Sequence, residues 1–395
     1  MKNKKYRFAT VTVHGGEDGR FTYNPASTPI YQTSTFFLDS TKEAEDLATH
    51  GKEGFLYTRV SNPTIKAFED KVALLEGGES AVAFSSGMAA ISSLLLAFLK
   101  PGDEVISSRQ IYGGSRGFFE NMLKKLDCPV RYFEPTGDLK KTIPSLINRK
   151  TRAIFFETPS NPELTIIDIH SIVRIAGQYK IMSVIDNTFA TPYLQKPLSF
   201  GIDCVIHSAT KYICGHGDAL GGIVVSSRDI VSTIRNNTLL NLGGCLSPFN
   251  AWLFLRGLKT LHLRMDHHCG SASKIAEFLK GSRKAVHVYY PGLKAHAGHK
   301  TAKGQMNAFG GVVSFRLANR RACRKFLDNL DICKIGVSLG DSATLALHSA
   351  SLLHSKLSDA ACRKIGVDPE LIRISAGLED PDDIIEDIKT GLAAV

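Results

Sequence analysis

The amino-acid sequence predicts an α/β fold with a mostly parallel sheet covered by helices on both faces. Seven short apolar runs lie between about residues 65 and 226 of the 395-residue chain. Segments long enough for crossover helices separate them, as in Met88 to Leu99 and Ile169 to Tyr179. Such alternation is the pattern of parallel sheets. After Ser247-Pro248 the pattern changes, which predicts a smaller C-terminal α+β domain.

The predicted strands of the main sheet are the apolar runs themselves. They lie at Ser80 to Phe84, Glu104 to Ser107, Val130 to Phe133, Ala153 to Phe156, Ile181 to Ile185, Ile202 to Ile206 and Gly222 to Val225. In the C-terminal part, apolar positions that step by three or four from Leu258 to Leu279 predict one long helix. Strand-like runs at His287 to Tyr290 and Gly311 to Phe315 follow, and an amphipathic helix is expected from about Asp382.

Residues 1–60 are predicted to form an extended arm. They carry few periodic apolar positions and many turn residues, among them Asn24-Pro25 and Thr28-Pro29. Such a segment cannot bury enough apolar surface by itself, so another subunit is its natural support. The predicted organisation is an N-terminal arm at 1–60, a large domain at 61–255 and a C-terminal domain at 256–395.

Composition and charge argue against several protein classes. The chain is 43% hydrophobic, yet no apolar run approaches the roughly 20 residues of a membrane-spanning helix. Its basic, polar start lacks a hydrophobic signal region, which predicts a cytoplasmic protein without a membrane partner. The net charge of +10 is dispersed, so no nucleic-acid partner is expected. Eight cysteines without Cys-x-x-Cys and 13 histidines without His-Glu-x-x-His predict neither a disulfide framework nor a metal site.

Lys211 closes the most informative motif of the chain. Ser208-Ala-Thr-Lys211 follows the apolar run Ile202 to Ile206, and Asp186 ends another run 25 residues earlier. An amine, two hydroxyls and a carboxylate thus stand at the ends of two predicted strands. They suit an aldehyde cofactor that bears a phosphate, because the amine can form a Schiff base, the hydroxyls can hold the phosphate and the acid can keep a pyridine nitrogen protonated. Pyridoxal phosphate is the first candidate.

Other polar motifs follow predicted strands in the same way. Ser85-Ser-Gly-Met88 precedes a helix and can present backbone N–H groups to an anion. Tyr112-Gly-Gly114 places an aromatic ring beside two small residues, and Glu157-Thr-Pro-Ser-Asn161 follows the next strand. Ligands of open α/β sheets gather at the carboxyl ends of the strands, so these motifs are expected to meet at one edge.

Two rival motif interpretations carry less weight. Ser208-x-x-Lys211 and Lys389-Thr-Gly391 match the pattern of serine acylases. That chemistry needs the serine at the start of a helix and the Lys-Thr-Gly on a strand, whereas Lys389 falls in the predicted C-terminal helix. Gly215-His-Gly217 resembles a dinucleotide loop but lacks the strand, helix and later acidic residue of that motif, so we interpret it as a turn.

With these residues in view, the chain resembles the trans-sulfuration family, the pyridoxal-phosphate enzymes of cysteine and methionine metabolism. Within it, the chain looks closest to methionine γ-lyases and cystathionine γ-lyases. The likeness runs from about residue 8 to 391. It rests on Tyr57-Thr-Arg59, Asn62-Pro-Thr64, Ser86-Gly-Met88, Tyr112-Gly-Gly114, Glu157-Thr-Pro-Ser-Asn161-Pro, Asp186-Asn-Thr-Phe189, His207-Ser-Ala-Thr-Lys-Tyr212, Gly215-His-Gly-Asp218 and Arg373-Ile-Ser-Ala-Gly-Leu-Glu379.

The resemblance implies an aspartate-aminotransferase-like fold and a homotetramer of two tight dimers with shared active sites. The domain at 61–255 would bind pyridoxal phosphate. The residues implied for the phosphate are Gly87, Met88, Ser208 and Thr210, joined by Tyr57 and Arg59 from the neighbouring subunit. Around the ring, Asp186 would pair with the pyridine nitrogen, Asn161 with the hydroxyl, and Tyr112 would stack.

The resemblance also implies the chemistry. Lys211 would be the Schiff-base lysine and proton shuttle, and Tyr112 would act as acid or base at the leaving group. Arg373, with Ser338 and Asn161, would take the substrate carboxylate. The expected reaction is γ-elimination on methionine, cystathionine or homocysteine, giving 2-oxobutanoate, ammonia and a thiol. The alternative is γ-replacement on O-acetyl- or O-succinyl-homoserine, as in cystathionine γ-synthases and O-acylhomoserine sulfhydrylases. A non-catalytic protein that binds pyridoxal phosphate is the third reading.

The chain departs from its relatives at several positions. Gly114 stands where methionine γ-lyases usually have cysteine, and Leu239-Leu240 replaces a Lys-Asp pair. Eukaryotic cystathionine γ-lyases tend to carry a glutamate at the place of Val337, and an apolar residue there favours a leaving group without a charged tail. The segment at 348–354 lacks a proline and a threonine of the family pattern.

Overall fold

The main sheet determines the architecture of the chain. The computed structural model describes residues 6–17, 21–49, 54–352, 358–364 and 367–395, and within them this sheet has seven strands in the order β1-β7-β6-β5-β4-β2-β3. The strands are β1 (Ser80–Phe84), β2 (Glu104–Ser108), β3 (Val130–Phe133), β4 (Thr151–Glu157), β5 (Met182–Asp186), β6 (Cys204–His207) and β7 (Gly222–Ser226). All seven predicted strands are confirmed, with ends that differ by at most two residues.

The direction of the strands places the candidate residues at one edge. Five neighbouring strands are parallel to one another, namely β3, β2, β4, β5 and β6. Strand β7 runs antiparallel to both β6 and β1. The predicted mostly parallel sheet is therefore confirmed. Parallel strands end at the same edge, so the segments that follow β4, β5 and β6 meet there. Glu157 and Asp186, the last residues of β4 and β5, are partners in the register.

Helices cover both faces of this sheet because its strands are apolar on both sides. Ile154 and Phe155 are successive, fully buried residues of β4 that belong to two different hydrophobic clusters. Helix Gly87–Phe98 contributes to the cluster of Phe155, and helix Ile169–Tyr179 contributes to that of Ile154. Both faces of the central strand β4 are therefore covered by helices, as its continuous apolar character predicts.

The described chain contains further helical segments between these elements. The α-helices span Phe8–His14, Thr41–Ala48, Pro63–Glu76, Gly113–Phe118, Leu139–Leu146, Thr191–Leu194, Arg228–Ile234, Leu240–Leu242, Pro248–Leu258, Leu261–Gly281, His299–Gln305, Arg320–Asp328, Ser349–Leu352, Asp359–Lys364 and Pro381–Ala393. Phe119–Leu123 and Arg235–Leu239 are π-helical, and Lys124–Leu126 and Pro197–Phe200 are 3₁₀ turns. No helix in the described ranges combines the length and the apolar character needed to cross a membrane.

A second sheet of five strands follows in the C-terminal part. Its strands are β8 (His287–Tyr289), β9 (Val312–Arg316), β10 (Lys334–Ile335), β11 (Leu345–His348) and β12 (Leu371–Ser375), in the order β10-β11-β12-β9-β8. β8 and β9 match the predicted runs, and the last helix begins at Pro381, close to the predicted Asp382. The α+β character of this part is confirmed, whereas the domain boundaries at residues 60 and 255 stay predictions.

The predicted long helix from Leu258 is wrong in one respect. The structure has two helices, Pro248–Leu258 and Leu261–Gly281, separated at Lys259 and Thr260. The physical reason is a buried cation: Arg264 Nη2 donates to the carbonyl of Gly257 at 2.7 Å, and Nη1 donates to the carbonyl of Tyr212 at 2.7 Å. The guanidinium thus satisfies a carbonyl at the end of the first helix.

The N-terminal arm contains more regular structure than the sequence predicts. Two short helices, Phe8–His14 and Thr41–Ala48, interrupt the segment expected to be extended. The first is anchored on its own chain, because the buried Lys71 donates from Nζ to the carbonyl of Thr12 at 3.2 Å and to Glu17 at 2.7 Å. The expected support of the arm by another subunit stays a prediction. Further along the arm, Phe37 is fully exposed.

Candidate functional site

A cleft opens at the edge of the main sheet where β4, β5 and β6 end. Its empty volume is about 850 Å³. Nine predicted site residues line it, namely Gly87, Met88, Tyr112, Asn161, Asp186, Ser208, Thr210, Lys211 and Arg373. The other lining residues are Ser86, Ile91, Glu157, Thr188, Phe189, Leu220, Val337 and Leu339. The expected convergence of the strand-end motifs is therefore present in the structure.

Lys211 lies in the turn between β6 and β7 and presents a partly desolvated amine to the cleft. Its Nζ donates to Ser338 Oγ at 2.8 Å, so a hydroxyl from the C-terminal part of the chain positions it. Burial lowers the pKa of Lys211, and the positive charge of Arg373 lowers it further. The neutral, nucleophilic amine is therefore populated at lower pH than in an exposed lysine.

The Asp186 carboxylate is held by two hydrogen bonds from one residue. Its Oδ1 accepts from the Thr188 amide at 3.0 Å and from the Thr188 hydroxyl at 2.5 Å. Burial raises the pKa of Asp186, whereas the two Thr188 hydrogen bonds and the charge of His207 lower it. A buried carboxylate fixed in this way can pair with a protonated ring nitrogen, which would favour its ionised form.

The first turn of helix Gly87–Phe98 meets the turn that contains Ser208. Ser86 caps this helix with its hydroxyl. A Cβ atom at Gly87 would lie 2.9 Å from Ser208 Cβ, so only glycine allows this approach. The helix dipole, the free N–H groups of the first turn and the nearby hydroxyls of Ser208 and Thr210 suit a phosphate group. Met88 lines the same side of the cleft.

Arg373, in the middle of β12, is a buried cation beside the cleft. Its Nη1 donates to Asn161 Oδ1 at 2.9 Å, and its Nη2 donates to the carbonyl of Ser338 at 2.7 Å. Its Nε is buried and has no hydrogen-bond partner among the described residues. Burial lowers the pKa of Arg373 to about 10, so the group stays charged at neutral pH. The structure thus brings together the three residues predicted for the substrate carboxylate.

Tyr112 lines the cleft with a ring that is 48% exposed. Its amide donates to Glu157 Oε1 at 2.7 Å. Burial, and then the charge of Asp186, raise the pKa of Glu157 well above its ordinary value. A Cβ atom at Gly114 would lie 2.4 Å from the Tyr112 ring, so the ring position depends on this glycine. Sequence reasoning singled out neither Glu157 nor Thr188, although both belong to the motifs of Asn161 and Asp186.

Two predicted cofactor residues do not line this cleft. Tyr57 and Arg59 are exposed, with the Arg59 guanidinium 5.5 Å from the centroid of the Tyr57 ring. Arg59 Nη1 also donates to the carbonyl of Leu240 at 2.5 Å. Their expected contact with a phosphate involves a neighbouring subunit and stays a prediction. Of the segment 348–354, residues 353 and 354 lie outside the described residues, and the described part does not line the cleft.

The structure also bears on the rival chemistries. Lys389-Thr-Gly391 lies in helix Pro381–Ala393, and Ser208 lies in a turn after β6, so the arrangement of a serine acylase is absent from these described segments. In the parts of the chain that the structure describes, no three His, Cys, Asp or Glu side chains come together as metal ligands.

The cleft fits pyridoxal phosphate. The close approach of Gly87 to Ser208 places a helix N-terminus and hydroxyl groups where they can bind the phosphate. The Asp186 carboxylate lines the same cleft and can pair with a ring nitrogen. The Lys211 amine is available to the aldehyde, since its hydrogen-bond partner is a neutral hydroxyl. The unpaired Nε of Arg373 provides a buried donor for a substrate carboxylate. The phosphate, the ring nitrogen and the aldehyde of the cofactor, and the carboxylate of an amino acid, thus each have a matching residue.

Comparisons with known proteins agree with this site. The model of the Cys/Met metabolism PLP-dependent enzyme family matches residues 9–393. An L-methionine γ-lyase of Fusobacterium nucleatum subsp. polymorphum is 41% identical over the whole of both chains. A cystathionine β-lyase of Lactococcus lactis subsp. cremoris is 40% identical, covering 97% of this chain and 98% of that protein.

A solved structure extends the comparison to the cofactor. A Campylobacter jejuni protein assigned as an O-acetylhomoserine (thiol)-lyase superposes with a TM-score of 0.93 at 34% identity, covering 98% of this chain and all of that one. It contains an N′-pyridoxyl-lysine-5′-monophosphate residue. The family match, the full-length relatives and the fitted cleft lead to one conclusion: this chain belongs to the pyridoxal-phosphate-dependent enzymes of cysteine and methionine metabolism.

Proposed function

We propose that this enzyme catalyses γ-elimination on sulfur amino acids, with methionine, cystathionine or homocysteine as substrate. The products are 2-oxobutanoate, ammonia and a thiol. The observation that carries the proposal is a single cleft that combines the Lys211 amine, the buried Arg373 guanidinium and an apolar wall. The full-length likeness to proteins named methionine γ-lyase supports it.

The residues of the cleft divide the chemistry among them. Bound pyridoxal phosphate supplies an electron-withdrawing ring that makes the α-hydrogen of an attached amino acid acidic. Asp186 would keep a proton on the ring nitrogen and so maintain that electron withdrawal. The first turn of helix Gly87–Phe98 and Ser208 would hold the phosphate, and Tyr112 would lie against the ring.

The substrate is oriented through its carboxylate. Asn161 and the carbonyl of Ser338 occupy two nitrogens of Arg373 and fix the plane of the guanidinium. Its remaining N–H groups are left for the carboxylate. Ser338 contacts both Arg373 and Lys211, so a carboxylate held by Arg373 brings the α-carbon close to the Lys211 amine. Lys211 would then take the α-proton as a general base, and a second proton would leave the β-carbon, whose electron pair expels the sulfur from the γ-carbon. Tyr112 would deliver a proton to the departing sulfur.

Apolar residues favour an uncharged leaving group. Val337 and Leu220 are each 62% exposed and line the cleft together with Leu339 and Phe189. A thioether such as that of methionine buries apolar surface against this wall, whereas a charged tail would have to remain solvated. Methionine is therefore the preferred substrate in this proposal.

The second candidate is γ-replacement on an O-acyl-homoserine. The likeness to a Campylobacter jejuni protein assigned as an O-acetylhomoserine (thiol)-lyase supports it. The two reactions use the same residues for the α-proton and the carboxylate. They differ in what happens after the leaving group departs. In γ-replacement a thiol adds to the remaining amino-acid skeleton, whereas in γ-elimination that skeleton breaks down to the keto acid.

A substrate panel distinguishes these reactions. Purified enzyme with added pyridoxal phosphate is given L-methionine, L-homocysteine, L-cystathionine or an O-acyl-homoserine, with and without a thiol. We expect 2-oxobutanoate and ammonia from methionine without any added thiol. Pyruvate from cystathionine would indicate β-elimination instead. Acyl esters as much the best substrates, diverted by thiol to a new thioether, would contradict the lyase proposal.

We also propose a cytoplasmic homotetramer of two tight dimers with shared active sites. Exposed apolar residues support an interface, since Phe37 is 100%, Leu242 60% and Phe249 50% exposed. The exposed Tyr57 and Arg59 would reach the phosphate of the neighbouring site. All eight cysteines are free, which suits the reducing conditions of a cytoplasm.

Mixing two inactive variants tests the shared site. Lys211→Ala removes the amine of a site, and Arg59→Ala removes the arginine that the same subunit lends to its neighbour. In a mixed dimer one site keeps both residues, so random reassortment of subunits should restore about a quarter of wild-type activity. Keto-acid release is measured before and after joint denaturation and refolding. Mixtures that stay inactive although each variant refolds alone would show that the sites are not shared.

The pKa of Lys211 predicts a specific pH dependence. We expect the cofactor-free chain to capture pyridoxal phosphate with a midpoint below pH 10.5, the ordinary value of lysine, because burial and Arg373 disfavour the ammonium form. Arg373→Gln removes the neighbouring charge and should move the midpoint to higher pH. The capture rate is followed by absorbance, with Arg174→Gln on an exposed helix face as control. Equal midpoints in wild type and Arg373→Gln would contradict this electrostatic coupling.

A further inference from the structure

One carboxyl in the cleft has no part in the mechanism described above. Glu157 is the last residue of β4, is 4% exposed and lines the cleft. In the register of parallel strands it is the partner of Asp186, so the two side chains point to the same face of the sheet. Burying a carboxyl beside another carboxylate is unfavourable, and the site retains it nevertheless.

The contacts of Glu157 connect two segments that surround the cofactor ring. Its Oε1 accepts from the amide of Tyr112 at 2.7 Å. The backbone amide of Asn161 also lies near this carboxyl and lowers its pKa. Tyr112 is the residue expected to stack on the ring. Asn161, which is expected at the ring hydroxyl, accepts a hydrogen bond from Arg373. A single side chain thus binds the backbone at Tyr112 and lies next to the backbone at Asn161.

A second link joins the same segments further from the cleft. Gln110 Nε2 donates to Glu163 Oε2 at 2.5 Å, and Ser160 Oγ donates to Gln110 Oε1 at 3.1 Å. Gln110 precedes Tyr112 by two residues, and Ser160 precedes Asn161 by one. This outer link limits how far the two segments can separate. Glu157 is therefore left to define their fine position at the ring.

We propose that Glu157 is the positioning residue of this active site, which fixes Tyr112 and Asn161 against the cofactor through their backbone amides. The inference rests on the proposed roles of those two residues. Glu157 acts as a hydrogen-bond acceptor whose side-chain length fixes the position of the backbone, and it does not act through a negative charge. Its neighbour Asp186 must carry the negative charge that pairs with the ring nitrogen, and a second buried charge beside it would weaken both.

The neutral state of Glu157 is consistent with its surroundings. Burial and then Asp186 raise its pKa well above the ordinary value, more strongly than the two backbone amides lower it. The other ionisable groups that line the cleft are Lys211, Tyr112 and Arg373. A neutral carboxyl and an amide have nearly the same shape and both offer a carbonyl oxygen. Glutamine should therefore replace Glu157 with little loss.

Three substitutions test the proposal against a purely electrostatic or structural role. Glu157→Gln keeps the length and an acceptor oxygen, Glu157→Asp keeps the carboxyl but withdraws the acceptor by one methylene, and Glu157→Ala removes it. Glu277→Ala, which removes an exposed carboxylate on helix Leu261–Gly281, is the control. The readouts are the dissociation constant of pyridoxal phosphate, the visible circular dichroism of the bound cofactor, and kcat and KM. The first two do not depend on which reaction the enzyme catalyses.

We expect Glu157→Gln to bind the cofactor within about threefold of wild type and Glu157→Asp to bind it about tenfold more weakly, since one misplaced hydrogen bond at a buried group commonly costs that factor. The circular dichroism band should change in Glu157→Asp and persist in Glu157→Gln, and kcat should fall more than KM rises. Tighter cofactor binding by Glu157→Gln than by Glu157→Asp supports the proposal even where Glu157→Ala fails to fold. If Glu157→Asp retains the band and the affinity better than Glu157→Gln, the charge matters rather than the position, and the proposal is overturned. A wild-type enzyme without lyase activity would refute the proposed reaction but leave this comparison intact.

Discussion

Replacing Lys211 with alanine should abolish turnover and covalent capture of the cofactor while leaving the fold intact. In the proposed mechanism the amine is both the nucleophile toward the aldehyde and the general base at the α-carbon, so we expect a loss of about 10⁴-fold, the upper end for a general base alone. Stability should change little, because the variant loses one hydrogen bond to Ser338 but also relieves a partly buried amine of desolvation.

Borohydride reduction followed by intact mass measurement checks this prediction directly. The wild-type chain should gain the mass of one pyridoxyl phosphate, and Lys211→Ala should gain none. Lys211→Arg is the matched variant, since it retains a cation without a nucleophilic amine and should also gain none. Lys303→Ala, at an exposed position of helix His299–Gln305, should behave as wild type. Cofactor mass on folded Lys211→Ala would show that another amine carries the cofactor.

Asp186→Asn should retain the cofactor but lose most of the activity. The amide keeps the size of the side chain and an oxygen that can accept from Thr188, so the cleft should keep its shape. It cannot pair as an anion with a protonated ring nitrogen. An opposite charge at contact distance is worth one to three pKa units, so we expect a fall in kcat on the order of a hundredfold.

The comparison that supports this assignment uses a second aspartate of the same sheet. Asp203 also accepts from a backbone amide and a hydroxyl, both of Ser183, but it precedes β6 rather than following a strand and lies outside the cleft. Asp203→Asn should leave kcat near the wild-type value. Both variants are measured for cofactor content and for kcat. Full activity in a cofactor-loaded Asp186→Asn enzyme would remove Asp186 from the mechanism.

The main sheet and most of the candidate site could be predicted from the sequence because their signals are local. Each strand is an apolar run bounded by polar residues, and each site motif follows a strand directly, as Asp186 follows Met182 to Ile185. Because parallel strands all end at the same edge of the sheet, these motifs can be placed at that edge without any further information. For this reason the meeting of Lys211 and Asp186 in one cleft could be predicted before any contact was known.

Other features could not be predicted because they depend on contacts between distant residues. The break at Lys259 is stabilised by Arg264, which reaches the carbonyl of Tyr212, 52 residues away. Arg373 lies in the centre of β12 and interrupts its apolar run, so the sequence pattern does not indicate a strand there. The link between Glu157 and Tyr112 spans 45 residues. No local pattern in the sequence reports such pairs.

The contact between Arg264 and Tyr212 has a consequence for how this enzyme can be divided. Tyr212 adjoins Lys211, and the carbonyl that Arg264 engages belongs to the catalytic turn. Ser338 and Arg373, which complete the surroundings of the Lys211 amine, also come from beyond residue 256. A fragment ending near residue 255 would therefore retain Lys211 but lose the residues that position its amine and its turn. We therefore expect that exchanging either part with that of a relative would disturb the position of the Lys211 amine unless the contacting residues match.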